Sequence, residues 1–481
     1  MNLQQSLANV LRALRSEIGP QLSSPRASAT LGSVVNVLTH LLVNATASDS
    51  GRCAPATASR DHAAPRDGEQ TSIYRSLIDE ASVPYGHFGG KGNYARLQAR
   101  VEAILDSNDP QISQEVANLI AWEKSAIDRT VLEVTKLLEP MSTHCELSAS
   151  SELSRLRQQA LETYLRTKYP CHPSLHVCGF APLPGGRSKS TALVQLAGCQ
   201  ELPPEFILRQ DAALNATGGP SVIGEFALLR ELHRLGMKVA QPFTLERSPA
   251  VLGAPFVLME KLRGGVASGL LQPPYSRRVA LSLAGELAKL HSIPLSDNQA
   301  VTADHATFDR AAKLLELERF GEPWREPYQP PCLAVRVALK WLRDNIDLAV
   351  QGTPALIHGD PLFHNVLAAG DELTGLLDWE FAKVGYPAED LGWIRAAVEG
   401  RLPWAEFMDA YRATGGPNLS REQLDYYAVW EALRLTSMLA RSNRLAASGS
   451  TQDIEYTCVA FHETYIARQW LSASVARVAG A

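Results

Sequence analysis

What the sequence lacks narrows its function first. Its 481 residues hold no unbroken apolar run of the ~18 residues that a membrane-spanning helix needs, so no such helix is expected. Charge of one sign is lacking too: 46 Lys and Arg face 51 Asp and Glu. The formal net charge of −5 is too small to gather nucleic acid or an acidic membrane surface. Cysteine is sparse, and the seven present include no Cys-x-x-Cys pair. That pattern fits reduced thiols in a cytoplasmic protein better than a disulfide framework. Cys171, His172, His176 and Cys178 bring zinc-ligand types together, but without the knuckle spacing and with Pro173 after His172. That segment reads as a connector entering a strand. The N-terminus lacks a basic stretch followed by a continuous apolar one, which argues against a secretory signal. A Walker A loop, an internal repeat and a heptad array are absent as well.

The chain is too long for one core, and its texture changes twice. Residues 1–145 read as an all-helical accessory domain. Leu3, Leu7, Val10, Leu11, Leu14 and Ile18 recur at helical spacing, as do Leu31, Val34, Val35, Leu38, Leu41 and Leu42. A segment near 45–70, rich in Ala, Ser, Pro and Asp, has almost nothing to bury and reads as a loop. Helical spacing resumes from Leu97 to Leu138, and Pro140 ends it. No catalytic constellation falls in this region, so assembly into a homo-oligomer through its helices is its expected use.

From about 150 to 262 the spacing predicts a small antiparallel β lobe after a helix at 151–168. Strands are expected at 175–180, 191–196, 205–209 and 255–259, with a helix from Val222 to Leu235. From 263 to 481 the pattern is mainly helical, with short strands around 355–378. The predicted fold class is therefore α+β, with a small β lobe, a hinge and a large helical lobe behind an all-α N-terminal domain.

The chemistry concentrates in Ala355-Leu-Ile-His-Gly-Asp-Pro-Leu-Phe-His-Asn-Val-Leu367 and in Leu373-Thr-Gly-Leu-Leu-Asp-Trp-Glu380. Phosphoryl transfer needs a positioned nucleophile, metal ions spanning the phosphates, and cations that absorb developing charge. Asp360 can orient an alcohol and accept its proton. Asn365 and Asp378 offer one neutral and one charged oxygen to Mg²⁺, a hard cation that prefers oxygen.

These segments, with Gly385-Tyr-Pro-Ala-Glu-Asp-Leu-Gly-Trp393, resemble the aminoglycoside phosphotransferase and choline kinase-like family. Within it the resemblance is greatest to the kinase domains fused to acyl-CoA dehydrogenases, and it extends over about 150–475. It implies a two-lobed protein-kinase-like fold and an ATP- and Mg²⁺-dependent transfer to a small-molecule hydroxyl. His358, a candidate catalytic base by residue type, is implied instead to brace the loop beside the catalytic Asp360. Asp390 is implied to support that loop through hydrogen bonds, although a helix N-cap is an equally simple use.

The nucleotide-binding candidates lie upstream. Gly185, Gly186 and Ser188 sit in a turn between two strands, where the family's nucleotide loop would lie. Arg209 falls where the family's phosphate-pairing lysine is often found, and a guanidinium can grip phosphate at two points. Glu225 on the next helix is its expected partner, with Glu231 as a rival. Leu258 to Leu262 reads as the hinge, so Glu260 and Leu262 are candidates for the adenine edge.

The acceptor is less legible. From Asp390 onward ten acidic residues face nine basic ones, so no acidic surplus awaits a polycationic aminoglycoside. Arg434, Arg441 and Arg444 recur at helical spacing and read equally as a solvated stripe or an anion site for a hydroxyacyl-CoA. Trp393, Trp404, Trp430 and Trp470 suit an apolar acceptor or simply a core. An aminoglycoside- or choline-type kinase shares all of these catalytic residues. A nucleotide-binding pseudokinase scaffold is disfavoured because Asp360, Asn365 and Asp378 are all present.

Overall fold

A computed structural model describes residues 152–183, 189–211, 221–269, 273–295, 309–325, 332–447 and 463–478, with Val34, Ala117, Ile120, Ala121, Lys124 and Asp128. The helices expected near 3–18 and 97–138 and the loop near 45–70 lie outside the described residues, apart from those few positions.

Internal contacts divide the chain into two compact units. One comprises Glu146–Phe308 and Val350–Tyr427; the other takes Met1–Cys145, Asp309–Ala349 and Ala428–Ala481. The first carries the chemistry. It opens with α1 (Glu152–Lys168), β1 (His176–Leu183), β2 (Lys189–Ala197) and β3 (Glu205–Asp211). Then come α2 (Val222–Arg234), β4 (Pro242–Glu246) and β5 (Phe256–Glu260). The strands make one antiparallel sheet in the order β1-β2-β3-β5-β4.

Side-chain alternation decides which face of this sheet does what. Along β3, Phe206, Leu208 and Gln210 are buried while Ile207 and Arg209 lie on the other face. Phe206 and Leu208 join Leu161 and Leu165 of α1, Val194 of β2 and Leu258 of β5 in the lobe's core. Arg209 is thereby turned away from that core. The expected strands are all present, and β4 is an addition that sequence reading missed. Only five residues long, it opens on Pro242 and occupies a sheet edge, where a proline sacrifices no ladder hydrogen bond.

The unit continues with β6 (Gly265–Val266) and α3 (Arg277–His291). After residue 350 follow β7 (Ala355–Ile357), β8 (Val366–Ala369), β9 (Glu372–Leu376), β10 (Lys383–Gly385), α4 (Pro387–Glu399) and α5 (Trp404–Ala413). β8 pairs with β6 and β9, and β10 pairs with β7. Buried Val279, Leu283, Leu287 and Leu290 give α3 an apolar stripe at helical period. In the other unit Trp324 donates its indole N–H to Ser437 Oγ at 3.2 Å, and Gln469 donates to Asp128 at 2.6 Å.

Among the described residues no helix is long and apolar enough to cross a membrane, and no three His, Cys, Asp or Glu side chains gather as a metal cage. The Cys171–Cys178 segment enters β1 as read: His172 pairs with Glu201 at 3.2 Å, and Cys178 Sγ lies 3.4 Å from His176 Nε2.

The sheet core predicts its own weak point. Phe206→Ala removes a fully buried ring and is expected to destabilise the first unit by about 3–5 kcal/mol, read as a lower denaturation midpoint.

Candidate active site

The site grows from the end of β7. Its three buried apolar residues carry the chain into His358-Gly-Asp360. Gly359 takes φ +79°, and a Cβ there would lie 2.3 Å from the Phe381 carbonyl oxygen, so only glycine fits this turn. Asp390, fully buried in the first turn of α4, holds the same turn from behind. Its Oδ2 accepts the His358 N–H at 2.8 Å and its Oδ1 the Gly359 N–H at 2.7 Å. His291 Nε2 approaches the carboxylate at 3.0 Å, and His291 Nδ1 lies 2.7 Å from the Tyr411 hydroxyl. Burial, then the charge of Asp390, push the Tyr411 phenol well above its ordinary range. It therefore stays a donor, and protons point along Tyr411–His291–Asp390. The helix cap proper is Tyr386, whose N–H is accepted by Glu389 Oε1 at 3.1 Å; Asp390 serves the loop.

His358 is not placed as the base that its residue type suggested. Its ring is fully buried, Nε2 lies 3.0 Å from the Leu377 carbonyl, and Nδ1 accepts the Asp360 N–H at 3.3 Å. Burial pulls its pKa below the ordinary 6.5, and nearby Asp390, Asp360 and Asp378 only partly oppose this. A neutral ring with both nitrogens engaged is a brace between two backbone segments.

Asp360 is the carboxylate that the brace presents. Trp393 Nε1–H donates to its Oδ1 at 2.6 Å, and Asn365 Nδ2 donates to its Oδ2 at 2.9 Å. His364 Nε2 stands 3.9 Å from Oδ2. Asn365 also donates to the Asp360 carbonyl at 3.1 Å and accepts the Leu377 N–H on its own carbonyl at 2.8 Å. Its amide nitrogen is thus spent on Asp360, and among the described residues no hydrogen bond engages its side-chain oxygen.

Asp378 follows on a strained turn, with φ +61° and ψ +65°, the one non-glycine left-handed residue among those described. One carboxylate oxygen takes a short hydrogen bond from Arg209. On its other side Arg209 Nε lies 3.3 Å from Glu225 Oε2, an ion pair whose angle is too oblique for a hydrogen bond. Glu225 is therefore the partner, whereas Glu231 pairs at the surface with Arg234. Asp211 explains the placement: it accepts from Ser221 Oγ and Val222 N, fixing the start of α2 to the end of β3. Glu225, one turn in, then faces Arg209.

A second cation completes the cluster. Lys189, almost wholly buried at the start of β2, lies 3.3 Å from Glu380 Oε2 and 3.6 Å from Asp211 Oδ1. Burial opposes charge on Arg209, yet Glu225, Asp378 and Glu380 outweigh it and hold the guanidinium firmly protonated. Burial raises the Glu225 carboxyl, with Arg209 only partly compensating. Among the described residues, four carboxylates (Asp211, Glu225, Asp378 and Glu380) thus share two cations. That deficit suits a divalent cation. Mg²⁺ typically takes one or two carboxylates and completes its shell with phosphates and water, and the free oxygens of Asn365 and Asp378 fit that donor set.

Of the other expected binding residues, Gly185, Gly186 and Ser188 lie outside the described residues. Glu260 is turned inward: its main-chain N–H donates to the Gln241 carbonyl at 2.8 Å and its carboxylate accepts the Gln241 N–H at 3.3 Å. Among the described residues no hydrogen bond engages the main chain of Leu262, whose side chain packs over Gly375. Sequence reading missed Lys189, Asp211, His291 and Tyr411 altogether, and it read Trp393 only as lining for an apolar acceptor or as core. Asp211 left a signal, a carboxylate two residues after Arg209 and ahead of a helix; Lys189 left none, being one polar residue in a polar turn. In the other unit Arg434 pairs with Glu431 at 2.5 Å and Arg441 donates to the Arg319 carbonyl at 2.8 Å; the Arg444 side chain lies outside the described residues.

A family model described as the phosphotransferase enzyme family (APH) matches residues 179–435, more than half of the chain. The chain belongs to that family. Its relatives include mouse acyl-CoA dehydrogenase family member 10, 26% identical over 245 residues, which are 49% of this chain and 22% of that protein. Human acyl-CoA dehydrogenase family member 11 is 25% identical over 187 residues, 35% of this chain and 22% of that protein. The chain thus spans under a third of the length of these curated relatives. Among solved structures, macrolide 2'-phosphotransferase from Brachybacterium faecium aligns with a TM-score of 0.43 at 18% identity, covering 62% of this chain and 97% of that one. A GDP complex of aminoglycoside 2'-phosphotransferase IIIa aligns with a TM-score of 0.46 at 17% identity, over 64% and 97%. The α+β, kinase-like fold of this phosphotransferase family, made for small-molecule kinases, is the class that the motifs implied.

The buried His358 predicts a pH effect on stability. Its folded pKa lies below the unfolded 6.5, so unfolding takes up a proton in acid. The stability gained by keeping the ring neutral is present above about pH 6.5 and is lost progressively as pH falls below it. Denaturation midpoints measured from pH 8 to 5 should fall less steeply for His358→Gln than for the parent.

Proposed function

We propose that this protein is an ATP- and Mg²⁺-dependent kinase that moves the γ-phosphoryl group to a hydroxyl of a small organic molecule, with a hydroxyacyl-CoA as the favoured acceptor class. The observation that carries the reading is the pairing of two arrangements on neighbouring loops. Asp360 has both carboxylate oxygens anchored by uncharged N–H donors, and Asp378 beside it belongs to a cluster short of positive charge.

In the reaction Asp360 accepts a hydrogen bond from the acceptor hydroxyl and takes its proton as the oxygen–phosphorus bond forms and ADP departs. His358 and Asp390 hold the backbone beneath it and exchange no proton with the substrate. Asn365 and Asp378 would hold Mg²⁺, which when bound neutralises the phosphate oxygens and the developing charge. Arg209, steadied by Glu225, exchanges part of its contact with Asp378 for phosphate oxygens and binds them at two points. The main chain of Leu262 meets the adenine edge, because the N–H of Glu260 is already spent on Gln241. Further phosphate contacts are assigned by the family resemblance to the 185–191 loop, whose Gly185, Gly186 and Ser188 lie outside the described residues.

For the acceptor, the support lies in the relatives, which bear the name of acyl-CoA dehydrogenases. Phosphorylating an unactivated hydroxyl makes it a leaving group, which prepares an acyl chain for elimination or rearrangement by a second enzyme. An aminoglycoside- or choline-type acceptor would use the same site.

A coupled ADP-release screen across hydroxyacyl-CoAs, aminoglycosides, choline and terpenoid alcohols separates these acceptors; no turnover with any class sinks the kinase reading. With the best acceptor, Asp360→Asn should lower kcat by about 10²–10⁴-fold while nucleotide affinity, measured by calorimetry, stays nearly unchanged. Asp378→Ala should instead weaken binding of the magnesium–nucleotide complex itself, visible as a lost dependence of affinity on magnesium concentration.

A further inference from the structure

Trp393 is nearly buried in the second turn of α4, one helical turn beyond Asp390, and it does more than fill space. Its indole Nε1–H makes a 2.6 Å hydrogen bond to Oδ1 of Asp360. The opposite oxygen is held by Asn365 Nδ2 at 2.9 Å, and His364 is the ionisable side chain that stands near it, at 3.9 Å. The carboxylate is therefore clamped at both ends and cannot turn about its Cβ–Cγ bond without breaking one of two charge-assisted contacts. An indole N–H is a donor only, with no lone pair to offer and no second protonation state near neutrality. It can orient a base without competing for the proton that the base must take. A lysine, histidine or tyrosine in the same place could exchange that proton or reverse its hydrogen bond.

We propose that Trp393 is a positioning residue for phosphoryl transfer, fixing the Asp360 carboxylate so that its remaining lone pairs face the acceptor hydroxyl. This rests on the kinase reading above. It also gives α4 a double duty, since Asp390 and Trp393 lie three residues apart on one face, one holding the loop backbone and the other its side chain.

Trp393→Phe keeps the ring and most of the volume and deletes the one donor. With the best acceptor, kcat should fall about tenfold, in keeping with one hydrogen bond to a charged group, while the KM for ATP stays within about twofold. A residue that only fills the core would leave kcat intact or shift both constants with stability. In an Asp360→Asn background the same change should cost nothing further, because its effect passes through the carboxylate. Additive losses, or an unchanged kcat in Trp393→Phe, would overturn the proposal. A second measurement needs no turnover. In protein labelled with [15N]tryptophan, the indole resonance lost in Trp393→Phe should sit downfield in the parent and move upfield in Asp360→Ala. A resonance indifferent to Asp360 rules out the contact. An enzyme inert toward every acceptor overturns the kinase reading, and the spectrum still decides whether Trp393 holds Asp360.

Discussion

One buried carboxylate organises the centre of this molecule. Asp390 has no solvent contact, and an isolated ion there would carry a desolvation cost of several kcal/mol. Donors converge on it: the consecutive backbone N–H groups of His358 and Gly359 and the imidazole of His291, itself backed by Tyr411. The dependence runs both ways. Without Asp390 the left-handed turn at Gly359 would lose the acceptor of two amides, and without those amides a buried carboxyl would lose two of its donors. His358 adds a second strap, joining the loop to Leu377 and hence to the segment between β9 and Asp378. Asp360 and Asp378 are thereby set relative to one another by backbone hydrogen bonds rather than by flexible side chains.

The β lobe meets this centre through charge. Strand alternation turns Arg209 off the hydrophobic core, and the capping of α2 by Asp211 brings Glu225 opposite it. Two cations serving four carboxylates is an arrangement that hydrophobic replacement would readily outdo in stability. Its persistence in a folded interior fits a site shaped for ligands whose own charge completes it.

How far the sequence revealed this differs by kind of feature. The strands of the β lobe other than β4, the helix carrying Glu225 and the Asp360–Asn365–Asp378 grouping were legible. Each is set by local periodicity or by short spacing along the chain. Choosing Glu225 over Glu231 rested on its spacing from the strand that carries Arg209. What stayed hidden depends on contacts distant in sequence. Lys189 meets Glu380 across 191 residues, and His291 reaches Asp390 across 99; neither leaves a local trace. His358 shows the converse. Its residue type suggested a base, while burial and two backbone partners make it a brace. Glu260 was assigned from its place at the strand end, and its hydrogen bonds with Gln241, just ahead of the neighbouring β4, could not be read without the sheet order.

The burial of Lys189 has a bearing on how this protein could change over time. The residue opens β2, and it is pinned by partners on β3 and on the turn after Asp378. A strand whose first residue is anchored in this way keeps its register while the sequence ahead of it gains, loses or exchanges residues. Changes upstream of Lys189 are thus separable from the pairing of β2 with β3.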